Sequence, residues 1–127
     1  MELSVILTEK APAAIGPYSQ AIVAGGWVFV SGQTPLVPET GELVAGAPAA
    51  QFERAIENLR QVLAAAGCGF ERIVSVDVFL TDISNFAAFN EIYGKFFTSH
   101  KPARAVVEGK ALPRGAMVEV KCVACRG

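Results

Sequence analysis

One segment indicates both a sheet and a candidate site: residues 102–120, Pro-Ala-Arg-Ala-Val-Val-Glu-Gly-Lys-Ala-Leu-Pro-Arg-Gly-Ala-Met-Val-Glu-Val. It places Arg104 at the start of one apolar, strand-like stretch and Glu119 inside a second. A charge within a sheet is costly unless it is paired or used. The planar guanidinium of arginine also matches a carboxylate through two hydrogen bonds. The segment therefore predicts a binding site for a small acid that has its own proton carrier.

Size and composition limit the classes of function. A chain of 127 residues is predicted to form a single domain over residues 1–127. The net charge of −1 gives no general attraction to nucleic acid or to an anionic membrane. Charged residues make up 18%, below the roughly 25% that is usual, and apolar residues make up 52%. An oligomer that buries part of its sheet explains both deviations better than a well-filled monomer core.

The chain is predicted to be cytoplasmic. No apolar run approaches the ~18 residues of a membrane span, and the first residues lack the basic region of a signal peptide. Three cysteines, Cys68, Cys122 and Cys125, are an odd number and fit a reducing compartment better than a disulfide framework.

Hydrophobic periodicity predicts an α+β fold in the order β-β-β-α-β-α-β-β, with two helices on one face of the sheet. Gly25 and Gly26 mark a hairpin turn, Pro48 suits the first turn of a helix, and Gly67 ends it. Ser84 is predicted to cap the second helix. The predicted strands are 4–8, 20–24, 27–31, 72–80, 103–109 and 117–125, and the predicted helices are 47–66 and 84–99.

The alternation of side chains predicts which face each strand buries. In the last strand, an apolar set is expected under the helices, opposite Glu119: Val118, Val120, Cys122 and Ala124. In the strand before it, Ala105, Val107 and Gly109 are the small apolar set and are also expected to face the helices. Arg104 and Glu119 would then share the helix-free face, with Ser75 and Asp77 if the middle strand buries Val74, Val76, Val78 and Leu80. A neighbouring subunit is the simplest cover for that face.

Other candidate chemistries are less well supported. His100 lies near a helix end, where a cation interacts well with the helix dipole. No cluster has metal-ligand spacing, and Cys122 and Cys125 on one strand point to opposite sides. Ser31 lies in no nucleophile elbow. Arg104 and Glu119 remain open to a purely structural interpretation in which they neutralise each other or charges of a partner.

Several motifs resemble one protein family in the right order and over nearly the whole chain. They are Ile15-Gly16-Pro17-Tyr18-Ser19-Gln20-Ala21, Ser31-Gly32-Gln33, Asn85-Phe86-x-x-Phe89-Asn90-x-x-Tyr93, Pro102-Ala103-Arg104 and Leu112-Pro113-x-Gly115-x-x-Val118-Glu119-Val120. The family is YjgF/YER057c/UK114, and the closest branch is Rid, the reactive intermediate deaminases.

The resemblance implies a chorismate-mutase-like, bacillus-type α+β subunit in a homotrimer, with a mixed sheet that packs into a central β-barrel and sites between subunits. It implies that Arg104 holds a substrate carboxylate and that Glu119 positions or activates water. Tyr18, Ser31 and Asn90 match positions that line the pocket, and the main chain of Val106 matches a substrate contact. Many relatives carry Ser or Thr at Ala105 and Cys or Thr at Val106, so a side-chain contact there is lost.

The activity implied is hydrolysis of 2-aminoacrylate, 2-iminopropanoate and 2-iminobutanoate to 2-keto acids and ammonia, with no cofactor and no metal. A non-catalytic trimer that senses keto acids or regulates a partner protein is the main alternative. Some family members are ribonucleases or translation inhibitors, but the −1 charge argues against nucleic acid as the main ligand. A chorismate mutase would need several cations to hold its dicarboxylate.

Overall fold

Within residues 1–126, which the computed structural model describes, six strands form one mixed sheet. Their spatial order is β1-β2-β3-β6-β4-β5, and only β4 and β5 pair in parallel. A parallel pair needs a crossover connection, and the second helix provides it. The predicted α+β fold with a mixed sheet is confirmed. The strands are β1 Leu3–Ile6, β2 Ala21–Ala24, β3 Trp27–Gln33, β4 Ile73–Leu80, β5 Ala103–Glu108 and β6 Val118–Cys125.

The first helix, α1, spans Pro48–Ala65, close to its predicted bounds. Gly67 follows it with a φ of +79°, a conformation that glycine adopts without strain. One face of the helix is buried through Phe52, Ala55, Ile56, Leu59, Val62 and Leu63. This face packs against the buried residues of β3 and β6, so α1 covers one side of the sheet.

The second helix, α2, spans Phe86–Phe96 and is shorter than predicted. The prediction that Ser84 caps this helix is wrong, because Asn85 precedes α2 and no side chain of residues 1–126 caps it. The side chain of Asp82 instead caps the 3-10 turn Ile83–Asn85, where it accepts a hydrogen bond of 2.9 Å from the backbone N–H of Ser84. This turn directly precedes the helix. At the other end, the ammonium of Lys101 donates to the carbonyl of Thr98 at 3.1 Å, near the negative end of the helix dipole. Neither helix is long and apolar enough to cross a membrane.

The middle of the sheet buries most of the predicted core. The four β6 residues Val118, Val120, Cys122 and Ala124 are at most 3% exposed, and Val76, Val78 and Leu80 of β4 are similarly buried. Val74 was also predicted in the core and this is wrong, because its side chain is 41% exposed. A register shift between Ile73 and Ser75 moves Ile73 into the core instead.

The predicted facing of β5 is also wrong. Arg104 pairs in parallel register with Val76, and Val106 pairs with Val78, so both lie on the helix side of the sheet. Ala105 and Val107 therefore point to the other side. The physical reason is that β5 is an edge strand, where a long cation can leave the core and lie along α2. Arg104 and Glu119 consequently lie on opposite faces of the same sheet.

The helix-free face carries an apolar surface around Glu119. Trp27, Phe29 and Val107 are 46%, 48% and 46% exposed, and strand register places them on this face. Leu3 and Val5 of β1 extend the surface. Within residues 1–126, no element covers it. An exposed apolar patch of this kind is typical of surfaces that contact another protein, a membrane or a ligand.

Candidate functional site

Glu119 lies in a cavity of about 420 Å³, called here the Glu119 cleft. The N-terminal loop, β3, the turn before β6 and β6 itself contribute to its walls. Its polar side chains include Tyr18, Ser31, Arg114, Glu119 and Lys121, and its apolar walls include Pro12, Ala13, Ile15, Val30, Leu36 and Pro113. A mostly apolar cleft with a few polar groups is typical of a site for a small molecule.

The carboxyl group of Glu119 is electrostatically unusual. It is half-buried, and this burial raises its pKa above the ordinary value, while the positive charge of Lys121 acts in the opposite direction. Among residues 1–126, no side chain or backbone group forms a hydrogen bond with it. A half-buried carboxyl group with a raised pKa and no hydrogen-bond partner suits proton transfer.

Gly32 gives Glu119 the space that it occupies. A Cβ atom on Gly32 would lie 2.7 Å from the carboxyl carbon of Glu119, far inside van der Waals contact. β3 extends to Gln33, past the predicted end at residue 31, and its pairing with β6 is irregular between Val30 and Gln33. Because Gly32 has no side chain, the carboxyl group of Glu119 packs directly against the backbone of β3 at this irregularity.

Buried amide side chains hold the walls of the cleft. Gln20 is 2% exposed, and it donates to the carbonyls of Thr8 and Pro12 at 3.0 and 2.9 Å. Asn58 is fully buried and donates to the carbonyls of Thr34 and Leu36 at 3.0 and 2.9 Å. These residues were not predicted from the sequence. Asn58 interrupts the apolar stripe of α1, and that interruption was the available signal.

Arg104 lies in a second cavity of about 330 Å³, called here the Arg104 cleft, whose lining also includes Asn90, Tyr93, Phe97 and Lys101. Its Nη1 donates a hydrogen bond of 2.8 Å to Oδ1 of Asn90. The guanidinium carbon lies 4.7 Å from the centroid of the Tyr93 ring. The centroid of the Phe86 ring lies 5.7 Å from the same carbon. One hydrogen bond and two rings therefore orient the guanidinium and leave further N–H donors for an anion.

The two clefts contain five of the six predicted site residues. Tyr18, Ser31 and Glu119 belong to the Glu119 cleft, and Asn90 and Arg104 belong to the Arg104 cleft. Val106, two residues after Arg104 in β5, packs half-buried against the core on the same side as Arg104. A single chain therefore holds Arg104 and Glu119 in two separate clefts.

The other residues considered from the sequence, His100 and the cysteines, form contacts within the fold. Nε2 of His100 lies 2.6 Å from the carbonyl oxygen of Ile73. Burial raises the pKa of the Cys122 thiol to about 12, whereas Cys125 lies half-buried on the other side of β6. Within residues 1–126, no group of three or more His, Cys, Asp or Glu side chains is arranged to hold a metal ion.

Comparisons with known proteins agree with the motifs. The model of the family described as Endoribonuclease L-PSP matches residues 8–126. The chain is 51% identical over 126 residues to Protein DfrA of Myxococcus xanthus, covering 98% of this chain and 96% of the relative. It is 45% identical over 123 residues to human 2-iminobutanoate/2-iminopropanoate deaminase, covering 97% and 90%. The crystal structure of the E. coli YjgF gene product superposes with a TM-score of 0.92 at 41% identity, covering 98% and 99%.

Proposed function

Because this chain belongs to the Endoribonuclease L-PSP (YjgF) family, we propose that it hydrolyses reactive enamines and imines of 2-keto acids. The substrates are 2-aminoacrylate, 2-iminopropanoate and 2-iminobutanoate, and the products are the 2-keto acid and ammonia. The observation that carries the proposal is the half-buried, unpaired carboxyl group of Glu119 in an apolar cleft of a chain 45% identical to a human deaminase of such imines.

The working form in this proposal is a homotrimer of single-domain chains, with sites between subunits. The apolar helix-free face around Glu119 supports it, since that face needs a cover. The separation of Arg104 from Glu119 supports it further, because an acid bound by one residue can reach the other only across a chain boundary. One chain would supply Arg104, Asn90 and Val106, and its neighbour Glu119, Tyr18 and Ser31.

The mechanism follows from the two half-sites. The guanidinium of Arg104 binds the substrate carboxylate and fixes the C=N carbon. Glu119 accepts a proton from water as the water oxygen attacks that carbon, which gives a carbinolamine. The imine reacts as its protonated iminium form, so the carbinolamine is neutral. The protonated carboxyl group of Glu119 returns the proton to nitrogen, the C–N bond breaks, and ammonia leaves. The carboxylate of Glu119 takes the hydroxyl proton as the carbonyl forms, and this proton then passes to solvent. An enamine is first protonated at C3. An imine carbon is already electrophilic, so the reaction needs no cofactor.

A direct assay separates this proposal from its main alternative. The imine 2-iminopropanoate is generated from alanine by an amino-acid oxidase, and its disappearance is followed with and without the protein. Faster loss with matching release of ammonia and pyruvate is expected. If the protein binds pyruvate in calorimetry but does not change the rate of imine loss, the chain is a non-catalytic acid-binding protein instead.

Mixing two inactive variants tests whether the site spans two chains. Arg104→Ala and Glu119→Gln are each expected to be inactive, but co-expression in equal amounts is expected to restore about a quarter of the wild-type rate, since random assembly of a cyclic trimer gives that share of intact sites. The rate is measured on the co-purified mixture, with separately purified variants as controls. If verified mixed trimers recover no activity, Arg104 and Glu119 of one site come from the same chain. That result would contradict the proposal that two chains share each site.

Gly32→Ala is expected to remove most of the activity without unfolding the protein. The new methyl group occupies the place of the Glu119 carboxyl group, and this flexible side chain swings away at little cost in stability. The measurements are kcat with 2-iminopropanoate and the thermal midpoint. Gly109→Ala is the matched control, because a Cβ there meets nothing within 4 Å. Wild-type kcat in Gly32→Ala would show that the observed position of the carboxyl group is not needed.

A further inference from the structure

We propose that Arg114 binds a second carboxylate of the substrate, so that the site accepts 2-imino dicarboxylates as well as the imines of small monocarboxylic acids. This inference rests on the proposed function and extends its substrate class. The residue lies in the turn Pro113–Gly115 that leads into β6, and its side chain lines the Glu119 cleft. Neither the motifs of the sequence nor the mechanism above assigns it a role.

The backbone of Arg114 is held in a conformation that arginine seldom adopts. Its φ is +59° and its ψ is 20°, and among residues 1–126 it is the only residue other than glycine with a positive φ. Glycine would adopt this conformation without steric conflict. A residue other than glycine in such a conformation is an outlier of the kind that clusters at functional sites.

The guanidinium of Arg114 is anchored and still able to bind an anion. Its Nη1 donates a hydrogen bond of 3.0 Å to the carbonyl oxygen of Gly41, which ties the turn to the neighbouring loop. Within residues 1–126, no carboxylate lies within 4.0 Å of it, since the single ion pair of this part of the chain joins Arg60 to Glu57. The other N–H groups of the fork therefore remain available to a ligand.

The charges and the size of the Glu119 cleft fit a dianion. Its lining contains two cations, Arg114 and Lys121, and one carboxyl group, Glu119. Its volume of about 420 Å³ exceeds what a three-carbon imine fills, and lies within the 300–1,000 Å³ that is typical of sites for larger ligands. With the first carboxylate on Arg104 of the neighbouring chain, a second carboxylate would extend towards Arg114.

The reaction on such a substrate is the same and balances without a further reactant. Water adds its oxygen to the C=N carbon of 2-iminosuccinate, the C–N bond breaks, and oxaloacetate and ammonia form. Arg114 takes no part in the proton transfers. It binds the distal carboxylate and thereby determines specificity.

The test compares two imines in parallel, 2-iminopropanoate from alanine and 2-iminosuccinate from aspartate, each made by an amino-acid oxidase. Arg114→Gly keeps the positive φ of the turn and removes the guanidinium. We expect kcat/KM for 2-iminosuccinate to fall at least about tenfold, while that for 2-iminopropanoate changes less than about twofold. Arg114→Lys should recover part of the loss. Arg60→Ala, which removes a guanidinium on the outer side of α1, is the control and should leave both rates unchanged.

Two results would overturn the inference while leaving the proposed function intact: an equal fall for both imines, or no change for either. Failure of the wild type to accelerate 2-iminosuccinate loss, with 2-iminopropanoate still hydrolysed, overturns it as well. If neither imine is hydrolysed, the proposed function fails, and calorimetry then tests Arg114 separately. Tighter binding of oxaloacetate than of pyruvate, lost in Arg114→Gly, supports the inference, and equal binding of the two acids contradicts it.

Discussion

Glu119→Gln is expected to lower kcat for 2-iminopropanoate by about 10²–10⁴-fold, the usual contribution of general acid–base catalysis. Glutamine has nearly the same shape as glutamate, but its amide group neither accepts the proton of the attacking water nor returns one to nitrogen. Binding of pyruvate depends on Arg104 in this mechanism and should change little. The measurements are kcat from single-turnover loss of imine and the Kd of pyruvate from calorimetry. Unchanged turnover would exclude Glu119 as the proton carrier.

The stability of the same variant gives an internal control. Burial raises the pKa of Glu119 above its ordinary value of 4.5, so the folded state binds this proton more tightly than the unfolded state. The associated stabilisation is present below pH 4.5 and is lost as pH rises through the raised pKa. Glu119→Gln carries no charge to bury, so at pH 7 we expect a higher thermal midpoint than in the wild type. The two midpoints should converge below pH 4.5, and a gap independent of pH would contradict this account.

Arg104→Ala is expected to lower kcat/KM by about 10²–10³-fold, since the substrate loses both its charge partner and its orientation. The guanidinium already lies between Asn90 and the ring of Tyr93, so little rearrangement is needed when a carboxylate binds. Pyruvate binding should weaken together with turnover, in contrast to the result expected for Glu119→Gln. Both constants are measured on protein with an unchanged oligomeric mass.

Two further variants separate charge from geometry. Arg104→Lys keeps the positive charge but loses the planar fork, so an intermediate kcat/KM is expected. Lys110→Ala removes an exposed cation shortly after the end of β5 and is the matched control, with kcat/KM as in the wild type. Full activity in Arg104→Ala would show that the substrate carboxylate is held elsewhere.

The sequence predicted the elements of the fold well, because their signals are local. The alternation of β6 and the helical stripe of α1 each repeat over four or more buried residues. Gly67 stands at the predicted end of α1 with the positive φ that the prediction requires. The residues alone indicated Arg104 and Glu119 as candidates, whereas Tyr18, Ser31, Asn90 and Val106 came from the family resemblance.

The errors concern arrangements that no local pattern records. The register shift at Ile73–Ser75 moves Val74 out of the core although its strand alternates normally afterwards. In β5, Ala105 and Val107 are as apolar as core residues, so only the position of the strand at the sheet edge reveals why Arg104 takes the helix side. The buried amide of Asn58 finds its hydrogen-bond partners in the loop that contains Thr34 and Leu36. The spacing of residues along the sequence does not show that this loop lies beside α1.

The opposite facing of Arg104 and Glu119 also bears on how activity depends on protein concentration. If two chains must meet to bring these residues together, a dissociated subunit has no complete site, and specific activity falls as the enzyme is diluted below the dissociation constant of the assembly. A site contained within one chain would show no such dependence. In a cell, the specific activity of the protein would then rise with its concentration, so that total activity would increase more steeply than the number of molecules.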